Sequence, residues 1–126
     1  MVEERPEIAA LIRRYVGCLE AQGIRVERVW LYGSRATDTA GPDSDVDIVV
    51  ISPDFADKTH WDRAAITGLA RWELFDATGW SVEALAKTPE EVASSHSASF
   101  LSGILGQAVS VYRRPGMRPT LRRSTP

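Results

Sequence analysis

The stretch "LYGSRATDTAGPDSDVDIVVIS", residues 31–52, decides how the rest of the chain is read. Two apolar runs flank a segment of small, polar and turn-forming residues. "DVDIVVIS", residues 45–52, is β-branched and reads as a central strand. Strand side chains alternate, so Asp45 and Asp47 point to one face, about 7 Å apart at the backbone. Two uncompensated carboxylates facing a core are costly and need a cation. Oxygen ligands on a rigid strand suit a hard ion, Mg²⁺ or Mn²⁺ rather than Zn²⁺. Turn capping after "PDS" explains Asp43 and part of Asp45. It does not explain Asp47 inside "DIVVI".

The upstream half supplies a place for an anion. Gly33-Ser34-Arg35 follows the apolar run "RVERVWLY", residues 25–32, which reads as a strand entering the core. "GSRATDTA" can turn sharply and start a short helix. Glycine lets a ligand approach the backbone, and the N–H groups of a helix start face anions. Ser34 adds a hydroxyl and Arg35 a charge. A phosphate cradle beside paired carboxylates describes metal-assisted chemistry on a nucleotide.

Working outward, "PEIAALIRRYVGCLEAQG" places Ile8, Leu11, Ile12, Tyr15 and Leu19 at helical spacing, with Pro6 in the first turn and Gly23 as the C-terminal cap. Residues 59–77 form a second helix, with Trp61, Ala65, Leu69, Trp72 and Phe75 as its core stripe. "GWSVEALA", residues 79–86, is a weaker strand. "TPEE", residues 88–91, is a capping box that starts a helix running to about Gln107, and "AVSVYR" is a last strand. The order α-β-α-β-α-β-α-β predicts an α/β or α+β domain with a mixed sheet and flanking helices. Trp30 and Trp80 read as packing. His60 and His96 lack metal-like spacing, and the acids of "SPDFAD" read as loop solvation and a helix start.

The 126 residues fit one domain. Cys18 is the only cysteine, excludes an intrachain disulfide, and reads as a buried, inert thiol. No apolar run approaches the ~20 residues of a membrane span, and "MVEERPEIAA" lacks a signal pattern. A cytoplasmic setting is expected. The net charge of −2 divides into +5 over residues 113–126 and −7 over the rest. An acidic body is a poor generic binder of nucleic acid. The expected organisation is a catalytic domain over residues 1–112 and a basic, disordered tail over 113–126.

Gly33-Ser34, ten residues, then Asp45-x-Asp47 resembles the signature of the DNA polymerase β-like nucleotidyltransferases, and the whole chain is similar to their minimal, MNT-type members. Many of those are encoded beside HEPN-domain partners as toxin–antitoxin pairs. The resemblance implies that Gly33, Ser34 and Arg35 hold a nucleoside triphosphate, ATP by default. It implies that Asp45 and Asp47 bind two Mg²⁺ ions, with a third carboxylate on a neighbouring strand. Glu83 is the acid available there, where family members more often have aspartate. It is either the third ligand or a solvent-facing strand residue. Asp45, Asp47 or Glu83 would receive the acceptor proton. The implied acceptor is a hydroxyl on a HEPN-type protein partner. A small molecule such as an antibiotic, bound at a homodimer interface, is the second reading. A catalytically weak module that neutralises its partner by binding is the third.

Overall fold

A computed structural model describes residues 6–35, 45–94 and 108–115 of the chain. Its centre is β2 (Val46–Ile51), a run of β-branched residues of which all but Asp47 are buried. Such a strand needs neighbours on both edges and cover on both faces. The edges are β1 (Arg28–Tyr32), antiparallel to it, and β3 (Val82–Lys87), parallel to it. β4 (Val109–Arg113) pairs antiparallel with the outer side of β1, giving the order β3-β2-β1-β4. Parallel neighbours require a crossover, and α2 (His60–Thr78) provides it.

Alternation then assigns the faces. Val46, Ile48, Val50, Val29, Leu31 and Val82 share one core with α1 (Pro6–Glu20) and with Ala70 and Leu74 of α2. Each fully buried aliphatic side chain contributes roughly 1.5–3 kcal/mol. The phenol of Tyr15 crosses this layer to donate to the Thr67 carbonyl at 3.1 Å. Val49 and Ile51 face the other way, against Trp30, Tyr32, Leu85 and Val92 of α3 (Pro89–Ala93). Asp47 and Glu83 belong to this second face by the same alternation.

The expected elements that fall within the described residues are present with small shifts of boundary. The first strand starts at Arg28 rather than 25, because the Arg25 N–H and guanidinium are held by Asp54, with contacts of 2.8–3.2 Å. Asp54 in "SPDFAD" is therefore an ion-pair partner rather than a solvated loop acid. β3 starts at Val82 rather than 79, because Gly79 caps α2 and the Trp80 N–H is taken by the Thr78 hydroxyl. Both capping boxes form, Thr59 with Asp62 and Thr88 with Glu91. Gly23, at φ 90°, ends α1, with the Ile24 N–H reaching the Leu19 carbonyl. β4 runs through Arg113, the Arg114 N–H donates to the Glu27 carbonyl, and the Arg114 guanidinium pairs with Glu20. The fold thus extends past residue 112. The expected helix start after Arg35, the continuation of α3 towards Gln107, and the rest of the basic tail lie outside the described residues. Among the described residues no helix is long and apolar enough to cross a membrane.

One expectation is overturned. The stripe Trp61, Ala65, Leu69, Trp72 and Phe75 faces solvent, with Trp61 85% and Trp72 71% exposed. α2 instead turns Arg63, Ala70 and Leu74 inward. The apolar period identifies a stripe but not what covers it, and the inward face is disguised by an arginine. Arg63 is 8% exposed and donates to the Phe55 and Ala86 carbonyls and to both oxygens of Glu91, at 2.8–3.1 Å. Burial raises the Glu91 pKa, but the hydrogen bonds from Arg63 and the Thr88 backbone outweigh it and hold the carboxyl below its ordinary value. Arg63 therefore ties α2 to β3, α3 and the turn Pro53–Phe55. Arg63→Ala removes this donor from the Phe55 and Ala86 carbonyls and leaves Glu91, among the described residues, with the Thr88 N–H alone. It is expected to cost on the order of 3 kcal/mol in urea denaturation. A loss below about 0.5 kcal/mol, the range of ordinary surface substitutions, would show the knot to be dispensable.

Candidate active site at the mouth of β2

The end of β1 and the starts of β2 and β3 meet at one edge of the sheet. The register places Tyr32, Asp47 and Glu83 opposite one another on successive strands, so the three side chains stand in a row on one face. Asp45 lies two residues before Asp47 and reaches the same edge. The Val46 N–H bonds to the Ser81 carbonyl at 2.9 Å, which fixes the starts of β2 and β3 side by side. The sequence-derived carboxylates Asp45, Asp47 and Glu83 are thus brought to one place by the register.

Their charges interact. Burial, then Glu83, then Asp45 push the Asp47 carboxyl above its ordinary value. Burial, followed by Asp47 and Glu83, raises the Tyr32 phenol. Gly33 opens a turn of 3-10 helix, Gly33–Arg35, that includes Ser34. Its φ of 74° suits glycine, and a Cβ there would lie 2.7 Å from Asp47 Oδ2. The glycine therefore makes room for the carboxylate of β2. Arg35, expected to meet phosphate, has its guanidinium 4.9 Å from the centre of the Trp80 indole.

Arg71 of α2 completes the site. Its Nε and Nη2 donate to Ser81 Oγ at 3.1 and 2.8 Å. Its guanidinium nitrogens lie 3.7 Å from Asp45 and 3.7 Å from Glu83. Beside it opens a groove of about 400 Å³ lined by Gly68, Arg71, Trp72, Phe75 and Ser81. Tyr32, Arg71 and Ser81 did not stand out in the sequence, and Trp80 read there only as packing. Tyr32 and Ser81 could have been found as the residues adjoining the "GSR" turn and the third strand. Arg71 had no local signal.

Among the described residues no three Asp, Glu, His or Cys side chains converge tightly enough to cage an ion by themselves. Magnesium uses one or two protein carboxylates and takes its other ligands from water and phosphate. An all-oxygen donor set with mutually repelling carboxylates fits such an ion and excludes a thiolate or imidazole site.

A family model described as "Nucleotidyltransferase domain" matches residues 12–100. The chain belongs to this family of nucleotidyltransferase domains. A proposed nucleotidyltransferase from Sulfolobus solfataricus has a similar crystal structure, with a TM-score of 0.61 and 16% identity over 95% of this chain and 93% of that one. The mixed four-stranded sheet with flanking helices is therefore a nucleotidyltransferase fold. A toxin–antitoxin crystal structure with AMP-PNP overlaps 82% of the chain and 73% of its own, at TM-score 0.49 and 21% identity. A mutant of the toxin–antitoxin pair MntA-HpeT overlaps 87% and 73%, at 0.45 and 19%. Among curated proteins none is significantly similar.

Two outcomes follow from this geometry. Gly33→Ala forces a Cβ against the Asp47 carboxylate at a left-handed backbone position. A loss of roughly 1–3 kcal/mol in thermal or urea unfolding is expected, and unchanged stability would show that the turn relaxes freely. Asp47 has a folded pKa above its ordinary 3.8. Its contribution to stability is present below 3.8 and is lost as pH rises through the folded value. In chelator-treated protein, Asp47→Asn should raise the melting temperature at neutral pH, and the gain should vanish towards pH 3.8. A variant less stable than the parent at pH 7 would contradict the repulsion.

Proposed function

We propose that the protein transfers a nucleoside monophosphate, AMP from ATP by default, to a hydroxyl on a protein partner in a cytoplasmic toxin–antitoxin pair. The observation that carries the reading is the row Asp47–Glu83, with Asp45 beside it and the Gly33 turn packed against Asp47. This is the juxtaposition that phosphoryl chemistry needs: an anion cradle against carboxylates that face the same way. Asp45 and Asp47, with Glu83 as third ligand, would hold Mg²⁺ or Mn²⁺. When bound, such ions supply positive charge that offsets the triphosphate and lowers the pKa of the attacking hydroxyl. The turn Gly33–Arg35 orients the triphosphate by its backbone N–H groups. The acceptor oxygen forms a bond to the α-phosphorus, the bond to the β-phosphate oxygen breaks, and pyrophosphate leaves.

A protein acceptor is supported by the exposed stripe of α2. Trp61, Leu69, Trp72 and Phe75 form a larger apolar surface than solvent exposure favours. It runs into the groove that includes Arg71 and Ser81, so a partner seated on α2 would present residues to the carboxylate edge. A HEPN-type toxin is the partner proposed from the sequence resemblance. The groove of about 400 Å³ favours a second reading, a small-molecule acceptor such as an antibiotic.

Incubation with α-labelled ATP, Mg²⁺ and the protein encoded beside it should move label onto that neighbour. Asp45→Asn with Asp47→Asn should abolish transfer. Glu83→Gln should slow it on the order of 10²-fold, the usual effect of losing one electrostatic contributor, while Glu83→Asp retains most activity. Co-purification of the two proteins with no transfer under any nucleotide or metal would replace the transferase with a binding module. Full activity in Glu83→Gln would remove Glu83 from the site.

A further inference from the structure

Arg71 is attached to the site in two unequal ways. Its bonds to Ser81 Oγ, at 2.8 and 3.1 Å, are within hydrogen-bond range. Its approaches to Asp45 and Glu83, at 3.7 Å each, are ion pairs without a hydrogen bond. The side chains of Arg71, Asp45 and Glu83 are 42%, 39% and 60% exposed, so water screens both pairs. The guanidinium is hinged on Ser81 and only loosely attached to the carboxylates. Burial, Glu83 and Asp45 hold the Asp47 carboxyl above its ordinary value despite this guanidinium. A divalent ion drawn to this edge, its shell completed by water, would meet Arg71 as a like charge beside Asp45 and Glu83.

We propose that Arg71 is a resident counter-ion of the carboxylate cluster, which a divalent cation must displace from Asp45 and Glu83 while Ser81 retains the side chain at the groove. The inference rests on the metal reading of the preceding subsection. It gives α2 a direct part in the site: Arg71 offsets the acidic edge with the chain's own cation, for which a bound divalent ion would exchange. Arg71 is on this view a positioning residue, acting through Asp45 and Glu83.

The test is calorimetric titration with Mn²⁺ alone, without nucleotide, at low ionic strength. Arg71→Gln removes the competing charge and should bind Mn²⁺ roughly three- to tenfold more tightly than the parent, the scale of two exposed ion pairs. Arg71→Lys keeps the charge and should return towards the parent. Ser81→Ala frees the hinge and should tighten binding by a smaller factor, which keeps the test open if Arg71→Gln fails to fold by circular dichroism. Equal or weaker Mn²⁺ binding in folded Arg71→Gln, or in Ser81→Ala when only that variant folds, would overturn the proposal. A merely structural role for Arg71 predicts weakening, because the carboxylates would lose their positioning. If the parent and the Asp45→Asn, Asp47→Asn variant bind Mn²⁺ alike, the metal reading itself falls. If the parent binds, the Asp45→Asn, Asp47→Asn variant does not, and Arg71→Gln binds no more tightly than the parent, this inference alone falls.

Discussion

The architecture turns on one carboxylate in a strand that otherwise has no polar residue to spare. β2 is buried on both faces, and every residue of Val46–Ile51 except Asp47 is sealed from water. An aspartate at that position can be kept only if the strand ends there, at an open edge. Its surroundings follow from this need. Gly33 gives up a side chain to admit Asp47 Oδ2. Tyr32 and Glu83 flank it in register, and Asp45 stands at the edge before the ladder begins. The repulsion among the three acids is held by the same packing that gives the core its stability. Such a cluster in a central strand is a cost in stability, and the binding role proposed for it gives a reason to keep it.

α2 shows how one residue type serves opposite ends. Arg63 and Arg71 lie on one helix and each meets carboxylate. Arg63 is buried, with four hydrogen bonds that fix α2 to the sheet and to α3. A buried guanidinium held by four hydrogen bonds is costly to disturb. Arg71 is half exposed, with firm bonds only to Ser81 and looser contacts to Asp45 and Glu83. Screening makes those contacts exchangeable. The difference between a structural and a replaceable cation is here one of burial and hydrogen-bond number, not of residue type.

Most of the fold is legible in the sequence because its signals are local. The β-branched run of β2, the helical spacing of Ile8 to Leu19, and the Thr88–Glu91 capping box each act within a few residues. The acidic half of the site is legible for the same reason, since two aspartates of one strand declare their common face by alternation. Glu83 could be named but not placed, because its position depends on the parallel register of β3 against β2. Arg71 comes to the site through tertiary packing and leaves no local trace, whereas Tyr32 and Ser81 adjoin segments that the sequence does mark. The α2 stripe misled for a related reason. An apolar period states that a face seeks cover, and the chain's own core had already been closed by α1, Ala70, Leu74 and the inward Arg63.

That misreading bears on function. A helix that buries an arginine and exposes two tryptophans has inverted the usual assignment of its faces. The inversion would be a defect in a protein that works alone, since exposed aromatics cost solubility. It is consistent if cover comes from outside, as the proposed partner would provide. Arg71 lies on the border between the two surfaces, bonded to Ser81 beside Trp72 and Phe75 and facing Asp45 and Glu83. Anything seated on the aromatic stripe presses on the helix that carries the site's own cation. On the proposed reading, partner binding and metal exchange would share one mechanical element, and any coupling between them through α2 would act in both directions.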